Sequence, residues 1–171
     1  MMKIEAAKPC DVERIIELLF LVDVSALLLI SGRKTPDEAK QVYAQHFLDA
    51  DVYFNYRNFQ VAKIDEYIVG CILFFKGEDE NKFKAVSEMD INGAEESEID
   101  EIYIDTLVVD PEYRGRGIAE RLVQAVLEIA KHSSCCKVSL LIDSRKVNIK
   151  DILYSIIAGF ILISLEAIFR R

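Results

Sequence analysis

One unit of the sequence constrains the fold more than any other: an apolar strand followed by a glycine-rich turn and an amphipathic helix. The strand covers residues 103–109 and contains many β-branched residues, and Asp110–Tyr113 ends it. Arg114–Gly117, with the sequence RGRG, leads into a helix that carries apolar residues at helical spacing from Ile118 onward. The first turn of such a helix offers unpaired N–H groups to an anion, and glycines let a phosphate approach the backbone. The unit therefore predicts an α/β domain with an anion-binding turn.

Two common phosphate-binding loops do not fit this turn. The chain has no G-x-x-x-x-G-K-S/T sequence, which excludes a P-loop. The dinucleotide pattern G-x-G-x-x-G fails because Glu120 stands where its third glycine or alanine belongs. The unit also lies late in the chain, whereas a dinucleotide-binding fold opens with it.

The rest of the chain supplies further strands and helices. Asp11 is expected to cap one helix, and Thr35 with Glu38 forms a capping-box pattern at the start of the next. Gly70, inside the second strand of a hairpin, indicates a bulge or a close backbone approach. The other predicted segments are strands at 3–7, 59–64, 68–75, 137–142 and 160–169 and a helix at 148–158. The predicted order is β-α-α-β-β-β-α-β-α-β, a mixed sheet with helices on both faces.

Composition indicates one globular domain. The chain has 171 residues, of which 51% are hydrophobic and 29% charged, with 7 glycines and 3 prolines. At roughly 100–200 residues per domain, this predicts a single domain over residues 1–171 with one sizeable core. The four cysteines have no C-x-x-C spacing and only two histidines accompany them, so we predict no metal site. So few cysteines are typical of reduced thiols in the cytoplasm.

The formal net charge of −8 is concentrated in one segment. Residues 78–101 contain ten acidic residues and two lysines, so the rest of the chain is close to neutral. Without a basic footprint, we predict no nucleic-acid partner. The strongest candidate for a membrane span, Ile152–Leu165, is shorter than the about 20 residues that a spanning helix needs. We expect a buried helix end and a strand there, and no membrane partner.

The segment Asp105–Ala119 resembles the acetyl-CoA motif of the GNAT superfamily of N-acetyltransferases. That motif, Q/R-x-x-G-x-G/A, is matched by Arg114, Gly117 and Ala119, and the resemblance extends over nearly the whole chain. It implies the acyl-CoA N-acyltransferase fold, a single N-acetyltransferase domain, and acetyl-CoA as co-substrate.

The resemblance also implies which residues bind acetyl-CoA. The backbone amides of Arg116–Ala119 would hold the pyrophosphate, and the backbone at the end of the preceding strand would pair with the pantetheine arm. The arginines of the turn are available for the 3′-phosphate, and so are Arg121, Arg145 and Lys150, which fit a solvated helix face equally well. A further landmark of the family is an asparagine eleven residues before a Gly-Phe pair. The implied binding residues are Leu107, Val108, Val109, Arg114, Gly115, Arg116, Gly117, Ile118, Ala119 and Asn148.

Acetyl transfer to an amine calls for a general base. A lysine-like amine has a pKa near 10.4, so exposing its lone pair at pH 7 costs about 4.6 kcal/mol. A thiol leaving group needs only about 2 kcal/mol of help, so a general acid matters less. Alternation along the strand places Glu101, Tyr103 and Asp105 on one face, and the resemblance implies that the base comes from this strand. We expect Asp105 first and Glu101 second; alternatively, these acids only line and polarise the site.

Two features depart from the family pattern. The family usually has a tyrosine four residues before the glycine of its Gly-Phe pair, where this chain has Ser155, while Tyr154 stands one residue early. A helix turns by about 100° per residue, so Tyr154, the candidate general acid, points away from the thiolate unless a π-bulge corrects it. The sequence also ends twelve residues after Gly159. We therefore expect a C-terminal strand pair that is short or incomplete, and an exposed edge that favours a homodimer.

Together these observations predict a cytoplasmic N-acetyltransferase that moves an acetyl group from acetyl-CoA to a primary amine by direct attack. The acidic segment 78–101 would attract a cationic acceptor, a small molecule or a peptide amine, unless it is only a solvated loop. The alternative function is a non-catalytic acyl-CoA-binding or interaction module on the same fold, because a fold does not fix a function.

Overall fold

The strands of the chain form one mixed sheet. The computed structural model describes residues 1–83, 97–135, 137–141 and 163–166. Within these ranges the sheet has six strands, which lie side by side in the order of the sequence. They are β1 (Met2–Ala6), β2 (Phe59–Ile64), β3 (Tyr67–Lys76), β4 (Glu101–Val109), β5 (Lys137–Leu141) and β6 (Ile163–Glu166). Neighbours from β1 to β4 are antiparallel, whereas β4 and β5, and β5 and β6, are parallel.

Three helices lie between β1 and β2, one more than the sequence predicts: α1 (Val12–Phe20), α2 (Val24–Ser31) and α3 (Pro36–Leu48). The extra helix is α2, whose residues are almost uniformly apolar and so lack an amphipathic period. The single turn α4 (Gly77–Glu80) follows β3, and α5 (Ile118–Lys131) follows β4. Within the described ranges, no helix combines the length and the apolar composition that a membrane span requires.

The two predicted helix starts have different outcomes. The capping box is confirmed, because Thr35 Oγ1 accepts from the N–H of Glu38 at 3.4 Å and the N–H of Thr35 donates to Glu38 Oε2 at 3.2 Å. The expected cap by Asp11 is wrong. Its carboxylate accepts from the N–H of Lys8 at 2.8 Å and from Lys63 Nζ at 3.1 Å. A nearly buried ammonium needs a counter-ion, and this demand outweighs the cap.

Apolar side chains pack on both faces of the sheet, so the expected layering of helices on both faces is confirmed. One core lies under α1 and α3, on what we call the α1–α3 face, and its fully buried side chains include Ile15, Leu18, Phe47, Phe59 and Leu73. The other core lies under α5, on the α5 face, and includes Ile72, Ile102, Leu122, Val126 and Leu127.

Gly70 makes the close approach that the sequence indicates. A Cβ atom at this position would lie 2.9 Å from the carbonyl oxygen of Val108 and 3.3 Å from the side chain of Ile118. The register between β2 and β3 also shifts beside it, between Ala62 and Lys63. The absence of a side chain therefore lets β4 and the start of α5 pack closely against β3.

Candidate active site

The strand β4 is paired differently along its two halves. On one side it pairs with β3 along its length, from Ile102 to Val109. On the other side it pairs with β5 only from Glu101 to Ile104. Within the part of the chain that the structure describes, the second edge of residues 105–109 has no neighbouring strand. The half of β4 that contains Asp105 and leads to the turn thus offers backbone groups along an open edge.

A β-bulge lies where the two halves meet. Across the ladder Leu73 faces Thr106 while Phe74 faces Ile104, which leaves Asp105 as the extra residue of β4. The bulge interrupts the alternation of side chains. Before the bulge, the even-numbered residues of β4, such as Ile104, face the α5 core. After the bulge, the odd-numbered residues, such as Leu107, face it. Asp105 and Thr106 therefore both lie on the α1–α3 face.

Asp105 is exposed at this bulge and close to the helices. Its Oδ2 accepts a hydrogen bond of 2.7 Å from Thr106 Oγ1. Burial, together with the negative charge of Asp105, raises the pKa of Tyr43 on α3 well above its usual value. The hydroxyl of Tyr43 donates to the carbonyl oxygen of Leu27 on α2 at 3.4 Å. The charge of Asp105, at the start of the open edge of β4, thus acts on Tyr43 of α3.

Tyr103 is on the same face as Asp105 but inside the protein. It is 3% exposed, and its ring centroid lies 5.5 Å from that of Phe75. Phe75 also contacts Tyr53 and Phe83, at 5.8 Å and 5.7 Å between ring centroids. Tyr103 therefore belongs to an aromatic group that supports the strand beneath Asp105.

Glu101 is enclosed at the other end of β4. It is 3% exposed, and its Oε1 accepts from the N–H of Glu98 at 2.8 Å. Its Oε2 lies 3.3 Å from Lys137 Nζ on β5. Hydrogen bonding to Glu98 and to Glu101 raises the pKa of Lys137. The structure thus separates the two candidate bases: Glu101 is committed to an ion pair between strands, and Asp105 is exposed.

The turn after β4 has the open geometry that an anion needs. Pro111–Tyr113 forms a single 3-10 turn, and Asp110 Oδ1 caps it by accepting from the N–H of Glu112 at 2.9 Å. Gly115 and Gly117 follow with φ values of 73° and 71°, and a Cβ at either position would have no atom within 4 Å. Gly117 provides no side-chain cap for α5, so the first N–H groups of the helix remain directed outward.

The two arginines of the turn are held against its backbone. Arg114 Nε donates to the carbonyl oxygen of Val109 at 3.2 Å, and Arg116 Nη2 donates to that of Glu112 at 3.3 Å. The guanidinium of Arg116 also lies 5.0 Å from the ring centroid of Tyr113. Open glycines, a free helix start and two cations together fit a pyrophosphate group.

Two predicted site residues, Asn148 and Tyr154, lie outside the described residues, as do Arg145 and Lys150. Sequence reasoning missed two interactions of Asp105, the hydrogen bond from Thr106 and the effect of its charge on Tyr43. The hydrogen bond from Thr106 depends on the bulge, and Tyr43 is 62 positions away along the chain, so no local pattern indicates either interaction.

Comparison with known proteins agrees with this geometry. The sequence profile of the acetyltransferase (GNAT) family matches residues 25–152. None of the curated proteins matches the chain. An N-acetyltransferase from Staphylococcus aureus Mu50 is 28% identical, with a TM-score of 0.76 over 93% of this chain and 90% of that one. The aminoglycoside N-acetyltransferase AAC(6')-Iy, solved in complex with CoA, is 18% identical, with a TM-score of 0.67 over 100% of this chain and 94% of that one.

These features define an acyltransferase with a mixed sheet and a candidate site in the strand-turn-helix unit of β4 and α5. The chain belongs to the GNAT acetyltransferase family. It is an acetyl-transferring enzyme, and acetyl-CoA is its co-substrate. The family resemblance and the fold predicted from the sequence are thereby confirmed.

Proposed function

We propose that the protein transfers the acetyl group of acetyl-CoA directly to a primary amine, with Asp105 as the general base. The observation that carries the proposal is the position of Asp105, an exposed carboxylate on the bulge where the open edge of β4 begins. Glu101, the second candidate, is buried and paired with Lys137. The geometry thus favours Asp105 over Glu101.

The chemistry requires the base more than the acid. Direct transfer forms an N–C bond and breaks the thioester C–S bond, so the amine loses a proton and the thiolate leaves. Asp105 accepts that proton, directly or through one water, and Thr106 orients its Oδ2 from 2.7 Å. The thiolate, with an ordinary pKa near 8.5, needs only about 2 kcal/mol of help at pH 7. Tyr154 stays a prediction for the acid.

The remaining binding roles follow the two halves of the site. The amides of Arg116–Ala119 bind the pyrophosphate, aided by Arg114, and the free edge of β4 at Leu107, Val108 and Val109 pairs with the pantetheine arm. This arrangement directs the thioester toward the bulge, because β4 runs from the bulge to the turn. The acetyl group and the base are thereby brought to the same end of the open edge.

The acceptor we propose is cationic. Asp105 has a negative charge on an exposed surface, and the acidic Glu78, Asp79 and Glu80 of α4 begin the segment that leads back to β4. A cleft of one charge sign concentrates ligands of the other sign and raises their association rate. A small molecule or peptide with a second positive charge would therefore be favoured over a neutral amine.

Two further expectations belong to this proposal. A cytoplasmic location rests on cysteine usage, since Cys10, Cys71 and Cys135 are free thiols. A homodimer rests on the exposed sheet edge expected from the sequence.

The proposal is tested by incubating the protein with acetyl-CoA and a panel of amines, and measuring release of the free CoA thiol. The panel pairs each monoamine with a diamine of similar length, together with an aminoglycoside and a basic peptide. We expect turnover with at least one amine, and a preference for the acceptor of each pair with the additional charge. Turnover that is equal within pairs would contradict the cationic acceptor, and the absence of turnover with every amine would contradict the proposed acceptor class.

A further inference from the structure

The side chain of Arg14, on α1, reaches the point where β4 ends. Its Nε donates to the carbonyl oxygen of Ile68 at 3.0 Å, and its Nη2 donates to Oδ2 of Asp110. Its Nη1 donates to Glu17 Oε2 at 3.1 Å. The Arg14 side chain is 19% exposed and that of Asp110 12% exposed, so the ion pair is largely shielded from water. One planar guanidinium thus joins α1, β3 and the end of β4.

Asp110 is the residue on which the following turn is built. Its Oδ1 accepts from the N–H of Glu112 at 2.9 Å, and its carbonyl oxygen accepts from the N–H of Tyr113 at 2.9 Å. Its own N–H donates to the carbonyl oxygen of Val69 at 2.9 Å. Asp110 therefore holds the 3-10 turn before Arg114 through one carboxylate bond and two backbone bonds.

A second set of contacts connects Arg14 with the same turn. Its guanidinium carbon lies 4.5 Å from the ring centroid of Tyr67. The ring centroids of Tyr67 and Tyr113 are 6.4 Å apart, and the guanidinium of Arg116 lies 5.0 Å from the centroid of the Tyr113 ring. Two cation–π contacts and one ring contact thus extend from α1 to an arginine of the turn.

We propose that Arg14 is a positioning residue for acetyl-CoA: it fixes the Asp110 carboxylate and thereby the turn that binds the pyrophosphate. The inference rests on the proposed binding of acetyl-CoA at Arg114–Ala119. Arg14 has no contact with the turn's amides among its described hydrogen bonds, so it acts through Asp110 and through the two tyrosines.

The two oxygens of the Asp110 carboxylate have different partners, and this supports the proposed role of Arg14. Arg14 bonds to Oδ2, whereas the cap of the 3-10 turn uses Oδ1. The guanidinium thus holds one oxygen and leaves the other directed at the N–H of Glu112. Without Arg14, a carboxylate that is 12% exposed would lose its cation and turn toward water, and the cap would weaken with it.

The test measures the dissociation constant of acetyl-CoA by calorimetry on the full chain. Arg14→Met keeps the apolar stem and removes the charge, and we expect the dissociation constant to rise roughly 3- to 30-fold. Arg14→Lys keeps the charge but cannot bond Ile68 and Asp110 together, so its value should fall between wild type and Arg14→Met. Glu17→Gln is the matched control. It removes the exposed partner of Arg14, and binding should be unchanged.

A double-mutant cycle separates positioning from a general loss of stability. If Arg14 acts through Asp110, the effects of Arg14→Met and Asp110→Asn on the dissociation constant should be clearly less than multiplicative. Arg121→Ala on α5 shares no described contact with Arg14, so its effect should multiply with that of Arg14→Met. If Arg14 were only structural, the effect of Arg14→Met on the dissociation constant would combine in the same way with Asp110→Asn as with Arg121→Ala.

Each outcome decides the inference. Wild-type affinity in folded Arg14→Met, or multiplicative effects with Asp110→Asn, would overturn it. If Arg14→Met does not fold, Arg14→Lys takes its place in the same cycle with the same criterion. If the wild-type protein itself does not bind millimolar acetyl-CoA, the proposed binding mode fails and the inference fails with it. If the wild-type protein binds acetyl-CoA and the Arg14 variants bind it equally well, only the inference about Arg14 fails.

Discussion

The two halves of β4 belong to one strand but have opposite surroundings. From Glu101 to Ile104 the strand lies between β3 and β5, and its acidic residue is buried in an ion pair with Lys137. From Asp105 to Val109 it pairs only with β3 within the described part of the chain, and its acidic residue is exposed. Among the described residues, the first half therefore has a strand on both sides, and the second half has a strand on one side only.

The comparison shows how one strand can be both scaffold and site. A carboxylate with two fixed partners, such as that of Glu101, joins neighbouring segments and is buried away from a substrate. A carboxylate on a bulge, such as that of Asp105, is exposed, because the extra residue departs from the regular ladder. The sheet thus places an exposed carboxylate, the proposed base, directly after a segment that is paired on both sides, and four substitutions or conditions test this division.

The largest effect is expected for the exposed carboxylate. Asp105→Asn should lower turnover by about 10²–10⁴, the usual value of general-base catalysis, with acetyl-CoA affinity and thermal stability nearly unchanged. The loss should shrink as pH rises, because more of the amine is already neutral. Rates measured from pH 7 to 10 test this.

Asp100→Asn is the matched control for Asp105→Asn, since it removes the same charge from an exposed residue just before β4. Its turnover should stay near that of wild type. An equal loss in Asp105→Asn at every pH would instead mean that Asp105 binds the acceptor or supports the strand.

The next effect concerns the turn beyond the open half. Acetyl-CoA at 100 times its dissociation constant should stabilise the wild-type fold by about 2.7 kcal/mol. Gly117→Val should abolish this stabilisation, because its side chain would stand in the open space before α5.

Gly32→Val is a close control: Gly32 also has a positive φ, 64°, and open surroundings. Gly32→Val should lower the stability of the protein as much as Gly117→Val does, but acetyl-CoA should still stabilise it. Thermal scans of both variants with and without acetyl-CoA test this difference.

A smaller effect is expected in the paired half. Glu101→Gln keeps an oxygen for the N–H of Glu98 but removes the buried charge opposite Lys137, so the unfolding midpoint should fall by about 2–6 °C. Turnover at saturating substrates should be nearly unchanged. Glu98→Gln alters the exposed partner of Lys137 and should change the midpoint less. A large loss of turnover in folded Glu101→Gln would move the base to Glu101.

The smallest effect is the pH dependence of that pair. Hydrogen bonds to Glu98 and Glu101 raise the pKa of Lys137. A raised pKa in the folded state gives stability that is full below the ordinary lysine value, about 10.4, and is lost as pH rises through the higher folded value. The difference in unfolding midpoint between wild type and Glu101→Gln should therefore be constant from pH 7 to 9.5 and shrink only above that range. A difference that disappears by pH 8 would contradict this origin.

Local patterns predicted most of the fold, including the strand-turn-helix unit of the candidate site. The capping box at Thr35, the hairpin with Gly70 and the turn around Gly117 each depend on residues a few positions apart, and the structure has all three. The unpredicted features depend on distant partners. Asp11 is drawn to Lys63, which is 52 positions away, and the bulge at Asp105 depends on the register with β3.

Gly70 has a consequence for the evolution of the enzyme. A methyl group there would press on the carbonyl oxygen of Val108 from the β3 side, and so displace the strand whose opposite edge is the proposed binding edge for pantetheine. In a library of random single variants selected for activity, position 70 would then rank with the proposed site residues, although it lies behind them. Substitutions at position 70 would be selected against because they impair folding and because they impair catalysis. Measuring the expression and the turnover of each variant in parallel would separate the two effects.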